Sequence, residues 1–497
     1  MEKYIVETTN GKVQGHERDG MVEYMGIPYA QPPVGELRLK RARPAALWEG
    51  VFDAGKYGAP SVQLENDQQI GDEDCLTLNI RRPLGGEKLP VLVYIHGGGY
   101  NTGMASDPLY EGASFVSHGI VYISIQYRLN VWGFYDFTSY PGGKEFDSNC
   151  GISDHILAMK WIHENVKAFG GNPEQVTIAG ESAGGTSVIT MMSIPALKGT
   201  FQQAIASSSL PNALFSHEMS RENIDLFLEG MGWTQEDLPK LRTVDAFEVQ
   251  KGNTYVAEKH QYKNPGIFLP SPVIDDLIPE RPLDAIRKGC AKDIKLMIGT
   301  NMHEGTMFVR FENTNFPSSW AMIEEMFEKH GYQEGFQAIK EYYQGRNLDT
   351  INGIEEAFIH FATDYAFQVP ALKVAEAQKA FNDVWIYRYE YISEFAKKTG
   401  MLAAHAMDLP CAFNEPEFGF AKELFQDDPK EVVEKLINEI HMSWVRFIKT
   451  GAPNGSEWPR YTGYNSLVRI FDKETRTEQL YRNELMKVWG DMRFYEK

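Results

Sequence analysis

The chain has 497 residues, of which 43% are apolar and 24% are charged, and its formal net charge is −19. This composition is typical of a large globular protein and excludes a disordered or fibrous chain. The acidic balance, without any dense run of Lys and Arg, argues against nucleic acid as a partner.

The N-terminal stretch MEKYIVETTNGKVQG has neither the basic start nor the apolar run of a signal peptide. No segment offers the roughly 18 consecutive apolar residues that a membrane span requires. The four cysteines (Cys75, Cys150, Cys290 and Cys411) are far apart and form no CxxC pair, which predicts neither a zinc site nor a disulfide framework. We therefore expect a cytoplasmic protein without a membrane partner.

The pattern of apolar runs changes along the chain. The dipeptide Asn10-Gly11 predicts a hairpin, so the chain should begin with small antiparallel strands. Short buried strands then alternate with helical patterns: strands at 91–95, 120–125 and 176–179, a helix at 156–169 and another after Ser182. This β, α, β order predicts an α/β fold with a mostly parallel central sheet flanked by helices.

The remaining chain contains no Pro/Gly/Ser-rich linker, so we expect a single domain over residues 1–497. Segments 217–290 and 317–380 are expected to be rich in helix and to roof the sheet. Further strands are expected at 294–298 and 384–391, and a last long helix at 431–447 should end near Thr450-Gly451.

The first motif with chemical content is Gly180-Glu-Ser-Ala-Gly184, which directly follows the strand at 176–179. This GxSxG pattern is typical of the sharp strand-to-helix turn that exposes a nucleophilic serine in α/β-hydrolases. By itself the pattern also arises by chance. Its position between a strand and a helix makes Ser182 the candidate nucleophile.

The second motif is His96-Gly-Gly-Gly99, which follows the buried strand at 91–95. A glycine run at this place resembles an oxyanion loop, because backbone N–H groups without side chains can approach the oxyanion of a tetrahedral intermediate. The predicted donors are the N–H groups of Gly98, Gly99 and Ala183.

A serine hydroxyl needs a base, and the base needs a carboxylate to hold its tautomer. In α/β-hydrolases these follow in the order Ser, Asp or Glu, His. Seven histidines lie downstream of Ser182, and three of them (His330, His360 and His441) fall in helical patterns. His405 lies in a loop after a strand, and Glu304 follows the strand at 294–298, where this fold places its acid. The sequence pattern alone leaves His217, His260 and His303 open.

The chain resembles the type B carboxylesterases, the family that includes para-nitrobenzyl esterases, cholinesterases and the non-catalytic neuroligins. The similarity extends over nearly the whole chain. It is carried by segments 26–38, 73–79, 169–185, 301–305, 405–410 and 449–454, which resemble the family's ordered signatures. The resemblance implies an α/β-hydrolase fold and a catalytic triad of Ser182, Glu304 and His405, with no metal or cofactor.

The resemblance also implies two structural salt bridges, Arg38 with Glu73 and Arg128 with Asp154. Ser207 is similar in position to a serine that lies behind the triad in some relatives, although a strand end of small residues explains it equally well.

The chain departs from the family pattern at several positions. Cys75 has no upstream partner of the kind that secreted relatives use, and no tryptophan lies where cholinesterases bind choline. His155 replaces a usual glutamine, and Asp408 replaces a usual glutamate.

We therefore expect a serine carboxylic ester hydrolase that acts on small-molecule esters through an acyl-enzyme, as a monomer or weak homo-oligomer. Amide or carbamate hydrolysis, or acyl transfer to an alcohol, would use the same triad and stays open. A neuroligin-like binding protein is the other alternative, and the intact motifs argue against it.

Overall fold

The computed structural model describes residues 3–65, 68–263, 270–311, 316–345, 350–351, 354–453, 455, 457–480 and 482–494. The chain divides into two compact units. The first takes Met1–Ile205, Leu214–Glu258 and Leu269–Pro282, and the second takes Ala206–Ala213, Lys259–Phe268 and Leu283–Lys497. The expectation of one domain over residues 1–497 stays a prediction, and each unit is described by itself.

Twelve strands begin in the first unit. They are β1 (Ile5–Thr8), β2 (Gly11–Gln14), β3 (His16–Arg18), β4 (Met21–Pro28), β5 (Val51–Asp53), β6 (Gln63–Glu65), β7 (Gln68–Ile70), β8 (Thr77–Pro83), β9 (Leu89–Ile95), β10 (Val121–Ile125), β11 (Gly171–Glu181) and β12 (Gln203–Ser207). The predicted opening hairpin is confirmed, since β1 pairs antiparallel with β2 and Thr8 lies opposite Gly11. The main sheet of this unit follows the order β3-β4-β8-β10-β9-β11.

The strands β9, β10 and β11 are parallel neighbours. Their central residues are apolar and inaccessible to solvent, among them Val91, Ile123 and Ile178 at 0% exposure. Continuous apolar runs of this kind suit strands that are covered on both faces. Because Gly180 of β11 lies in register with Ile95 of β9, the segments that leave these two strands begin side by side.

The helices that begin in the first unit are α1 (Ala113–Ser117), α2 (Asn130–Phe134), α3 (Cys150–Asn165), α4 (Ala183–Ser193), α5 (His217–Met231), α6 (Gln250–Lys263) and α7 (Pro282–Arg287). The helix predicted at 156–169 therefore begins six residues earlier, at Cys150. Asn149, its N-cap, is a preferred capping residue, but its backbone is left-handed (φ 53°) and its side chain bonds the backbone of Val273 instead of capping the helix.

The second unit adds six strands: β13 (Lys295–Asn301), β14 (Thr350–Ile351), β15 (Ile354–Glu355), β16 (Val384–Tyr389), β17 (Leu467–Phe471) and β18 (Arg476–Gln479). Here β16 is parallel to both β13 and β17, while β18 closes the edge antiparallel to β17. Within this unit the strands of the main sheet follow the order β13-β16-β17-β18.

The helices of the second unit are α8 (Trp320–Lys329), α9 (Gln333–Gln344), α10 (Glu356–Thr363), α11 (Val369–Gln378), α12 (Glu394–Thr399), α13 (Leu409–Phe413), α14 (Phe420–Phe425), α15 (Lys430–Thr450) and α16 (Asn483–Trp489). The last long helix, α15, ends where the sequence predicted, at a left-handed Gly451 with φ 74°. Segments 217–290 and 317–380 consist mainly of helices in their described parts, and their role as a roof stays a prediction. Within the described residues, no helix combines the length and apolar character that crossing a bilayer requires.

Candidate active site

Ser182 is the single residue between two elements: β11 ends at Glu181 and α4 begins at Ala183. Its backbone has φ 56° and ψ −122°, a conformation that residues other than glycine rarely adopt. The turn is crowded, because a Cβ on Gly180 would lie 2.4 Å from Gly184 C, and one on Gly184 would lie 2.0 Å from Ile95 O. The two glycines of the motif are therefore needed for the strand, the turn and the helix to approach each other.

The glycine loop leaves β9 at His96 and passes directly beside the serine. A Cβ on Gly97 would lie 3.2 Å from the Cβ of Ser182. Gly98 and Gly99 have φ of 98° and 61°, and the carbonyl of Gly98 accepts the N–H groups of the turn that follows, at 3.0 Å each. This geometry turns the loop tightly beside Ser182.

The N–H groups of this loop are available to a ligand. In the described chain, no protein oxygen accepts a hydrogen bond from the N–H of Gly98 or of Gly99. Ala183 is the first residue of α4, where backbone N–H groups have no acceptor within the helix. All three N–H groups that the sequence singled out thus belong to one compact region around Ser182.

Three buried rings pack behind the glycine loop. The Tyr127 ring lies between His96 and His155, with ring centroids 4.4 Å apart on each side, and its hydroxyl donates to the carbonyl of His96 at 2.8 Å. Burial lowers the pKa of His96 to about 4. Burial, together with nearby His96, lowers the pKa of His155 to about 3. Both imidazoles are therefore neutral near pH 7 and support the loop without adding charge.

Glu304 and His405 come together in the second unit. The Nδ1 atom of His405 lies 2.6 Å from Oε2 of Glu304, and the two residues are 5% and 0% exposed. Phe308 and Phe367 pack against the imidazole at 5.1 and 5.0 Å. A carboxylate at Nδ1 keeps the proton on that nitrogen and leaves the lone pair on Nε2, as a general base requires.

The second oxygen of Glu304 is also held. Its Oε1 accepts the hydroxyl of Ser208 at 2.6 Å and the backbone N–H of Asn301 at 2.7 Å. The sequence analysis missed Ser208 and considered Ser207 instead. Ser208 directly follows β12 and has a backbone φ of 45°, and a run of three serines gives no sign of which one faces the acid.

Ser207 reaches a different carboxylate. Its hydroxyl donates to Oδ2 of Asp408 at 3.0 Å, and Asp408 also lies within 3.4 Å of the Asn301 amide and of the Tyr387 hydroxyl. Burial and the nearby charge of Glu304 raise the pKa of Asp408. Asp408 therefore belongs to a buried polar layer beneath Glu304 and His405, and Ser207 contacts them only through this layer.

The two expected salt bridges are present within the first unit. Arg128 binds Asp154 through Nη2 at 2.6 Å and Nε at 2.9 Å, with side chains 3% and 0% exposed. Arg38 binds Glu73 in the same two-point manner, at 2.5 and 2.6 Å. Neither pair includes a residue of the candidate triad.

One group of residues in the described chain has the composition of a metal site. His303, Glu356 and His360 offer ligand atoms within 4.8 Å of one another. Burial and the neighbouring His360 lower the pKa of His303 to about 3, so its imidazole is neutral at physiological pH. None of the three contacts the Glu304–His405 hydrogen bond, and the chemistry considered below does not use them.

Known proteins resemble this chain over nearly its full length. The family model described as the carboxylesterase family matches residues 2–489. The para-nitrobenzyl esterase of Bacillus subtilis (strain 168) is 34% identical over 96% of both chains. The phenmedipham hydrolase of Pseudarthrobacter oxydans is 29% identical over 95% of both.

Solved structures of esterases also resemble this chain over nearly its full length. A PNB esterase superposes with a TM-score of 0.84 at 32% identity, and 98% of this chain and 99% of that chain are covered. A carboxylesterase of Geobacillus stearothermophilus reaches a TM-score of 0.83 at 29% identity with the same coverage.

Proposed function

The chain belongs to the carboxylesterase family, has the α/β-hydrolase fold and is a serine carboxylic ester hydrolase, and on this premise we propose the residues that carry the reaction. Ser182 is the nucleophile, His405 is the general base, and Glu304 orients it. The observation that carries the proposal is the 2.6 Å contact between Nδ1 of His405 and Oε2 of Glu304, which leaves Nε2 as a proton acceptor. The strained backbone of Ser182 supports it, because strain of this kind persists where function requires it.

The reaction begins with acylation. As the Ser182 hydroxyl oxygen bonds to the ester carbonyl carbon, its proton passes to Nε2 of His405 and the carbonyl oxygen becomes an oxyanion. The N–H groups of Gly98, Gly99 and Ala183 stabilise that oxyanion, and each such donor contributes about 10²- to 10³-fold in turnover. His405 then gives its proton to the leaving alcohol, and the acyl group remains on Ser182.

Deacylation repeats these steps with water. His405 removes a proton from the water as its oxygen attacks the acyl carbon, and the proton then returns to the Ser182 oxygen as the carboxylic acid leaves. Glu304 stabilises the imidazolium that forms in each half-reaction. No step needs a metal or cofactor.

The proposed substrates are small-molecule esters with an apolar acyl or alcohol part. The phenyl rings of Phe308 and Phe367 against His405 support this preference. Amides, carbamates and acyl transfer would share the acyl-enzyme, so matched ester and amide substrates distinguish them. We propose a monomer or weak homo-oligomer without nucleic-acid or membrane partners. A cytoplasmic location is supported by the buried free thiols of Cys75, Cys150 and Cys411.

The test is hydrolysis of p-nitrophenyl esters from acetate upward by the wild type, by Ser182→Ala and by the control Ser187→Ala. Ser187 lies in α4, the helix that Ser182 precedes, and its hydroxyl contacts the Tyr100 hydroxyl at 3.1 Å without a role in the proposed steps. We expect Ser182→Ala to lose nearly all turnover while Ser187→Ala keeps most of it. Turnover that survives in folded Ser182→Ala would show that another group is the nucleophile.

A further inference from the structure

The second unit contains a cavity of about 240 Å³ that the ester hydrolysis does not use. One part of its wall is charged and includes Arg388, Arg482 and Asp364, while another part is apolar and includes Leu480 and Leu485. A single water molecule needs only about 10–15 Å³, so this cavity has room for a small organic molecule.

Arg482 is the unusual residue in this wall. It is 5% exposed, and its guanidinium makes no hydrogen bond or ion pair with any residue that the structure describes. Burial and the neighbouring Arg388 lower the pKa of Arg482 to about 9, which still leaves it charged at neutral pH. A guanidinium has five N–H donors, and those of Arg482 are available to a ligand in the cavity.

The other charged groups at this cavity already have partners. Arg388 binds Glu390 through Nε at 2.7 Å, and Asp364 accepts the hydroxyl of Tyr343 at 2.7 Å. The amide of Gln368 also donates to Asp364. Among the described residues of this wall, Arg482 is therefore the charged group without a protein acceptor.

Besides Tyr342, the remaining titratable group among the described residues of this wall is His360. Its Nε2 lies 3.3 Å from Oε1 of Glu356, so it too has a partner outside the cavity. The acceptor that Arg482 lacks is thus supplied by neither His360 nor Asp364.

The composition of the wall restricts the occupant. An acceptor for Arg482 must carry negative charge, and a guanidinium matches the two oxygens of a carboxylate. Asp364 faces the same space, so a second negative charge on the ligand would be repelled. Leu480, Leu485 and Met302 offer apolar contact for a hydrocarbon part.

We propose that this cavity binds a small monocarboxylate with a short alkyl or aryl part, with its carboxylate on the Arg482 guanidinium. Carboxylic acids released by ester hydrolysis belong to this chemical class, so the reaction products of the enzyme are one source of the ligand. This link rests on the proposed function, whereas binding itself does not.

The experiment is calorimetric titration of the full-length chain at pH 8 with butyrate and benzoate. Phosphate, which carries two negative charges at this pH, tests the expected repulsion of a dianion. The titration compares the wild type, Arg482→Met and the control Arg460→Met, whose arginine is 65% exposed and binds Asp383 at 2.6 Å. We expect one saturable site for the carboxylates in the wild type and in Arg460→Met. Loss of charge-assisted hydrogen bonds should weaken the binding of both carboxylates to Arg482→Met by about 10- to 100-fold. Phosphate should bind weakly to all three proteins.

A stability measurement keeps the test independent of the active site. Without ligand, Arg482→Met should unfold at a higher temperature than the wild type, because an apolar side chain replaces an unmatched buried charge. Added benzoate should raise the unfolding temperature of the wild type but not that of Arg482→Met. The proposal is overturned if carboxylates bind Arg482→Met as tightly as the wild type, if only phosphate binds, or if Arg482→Met unfolds earlier and benzoate stabilises neither protein.

Discussion

Replacing Glu304 with glutamine should switch the tautomer of His405. In the structure, Oε1 of Glu304 accepts the backbone N–H of Asn301, which cannot reverse its role as a donor, as well as the Ser208 hydroxyl. The amide oxygen of Glu304→Gln must therefore occupy the Oε1 position, and the amide nitrogen must face Nδ1 of His405. An N–H donor there forces Nδ1 to become the acceptor and moves the imidazole proton to Nε2.

An imidazole protonated at Nε2 cannot take the proton of Ser182. A tautomer change of this kind costs a serine hydrolase about 10⁴-fold in turnover, equivalent to about 5 kcal/mol in the activation free energy. We therefore expect kcat/KM of Glu304→Gln for p-nitrophenyl butyrate to fall by about 10⁴, with an unchanged circular dichroism spectrum.

The matched control is Asp408→Asn. Asp408 is also buried, at 1% exposure, but its carboxylate accepts the hydroxyl of Ser207 at 3.0 Å and has no bond to His405, so this variant should stay within about tenfold of the wild type. If folded Glu304→Gln keeps more than a tenth of wild-type activity, the orientation argument fails and Glu304 has another role.

Three further predictions concern other contacts. Ser208→Ala removes a hydrogen bond to the charged Oε1 of Glu304 and should lower kcat by about tenfold at unchanged KM. Ser207→Ala is the control. An equal loss of kcat in both variants would contradict the role of Ser208 in holding Glu304. Arg128→Met leaves Asp154 buried without its partner and should lower the free energy of unfolding in urea by about 3–5 kcal/mol. The double variant with Asp154→Leu should recover much of that loss, and no recovery would disprove the charge argument. The pKa of His155 is about 3 in the folded protein and 6.5 in the unfolded chain. Between pH 6.5 and pH 3, the imidazole therefore takes up a proton only in the unfolded state. The free energy of unfolding consequently falls as the pH is lowered through this range. From pH 8 to pH 5 this amounts to about 2 kcal/mol, and urea titrations of His155→Gln should lack that part of the acid dependence.

Most of the local chain path that leads to the candidate site could be predicted from the sequence. Segments 91–95 and 176–179 are short and mostly apolar, and each is followed by a glycine-containing motif, so pattern and motif agree on strands that end in turns. The strand predicted at 294–298 is β13, Lys295–Asn301, which ends three residues before Glu304. Here the chemistry directly follows a regular element, and local sequence was sufficient.

The remaining features depend on contacts between residues far apart in the chain. Which serine of residues 207–209 faces Glu304 is decided by the path of the backbone at Ser208, whose φ of 45° has no signature in a run of identical residues. In the sequence, Arg482 is an ordinary charged residue before a short helix. Its burial, and the absence of a protein acceptor among the described residues, follow only from the packing of the second unit. The environment of His155 likewise depends on residues far apart in the chain, because Tyr127 lies between it and His96.

The backbone conformation of Ser182 limits which residues could replace it as the proposed nucleophile. At φ 56° a side chain branched at Cβ meets severe steric conflict, so threonine is closed to this position even though its hydroxyl has the same chemistry. Cysteine keeps an unbranched Cβ and fits. Divergence at this turn is therefore limited to nucleophiles with an unbranched Cβ, such as cysteine through a thioester or aspartate through a carboxylate ester, and the route used by threonine hydrolases is not accessible from it.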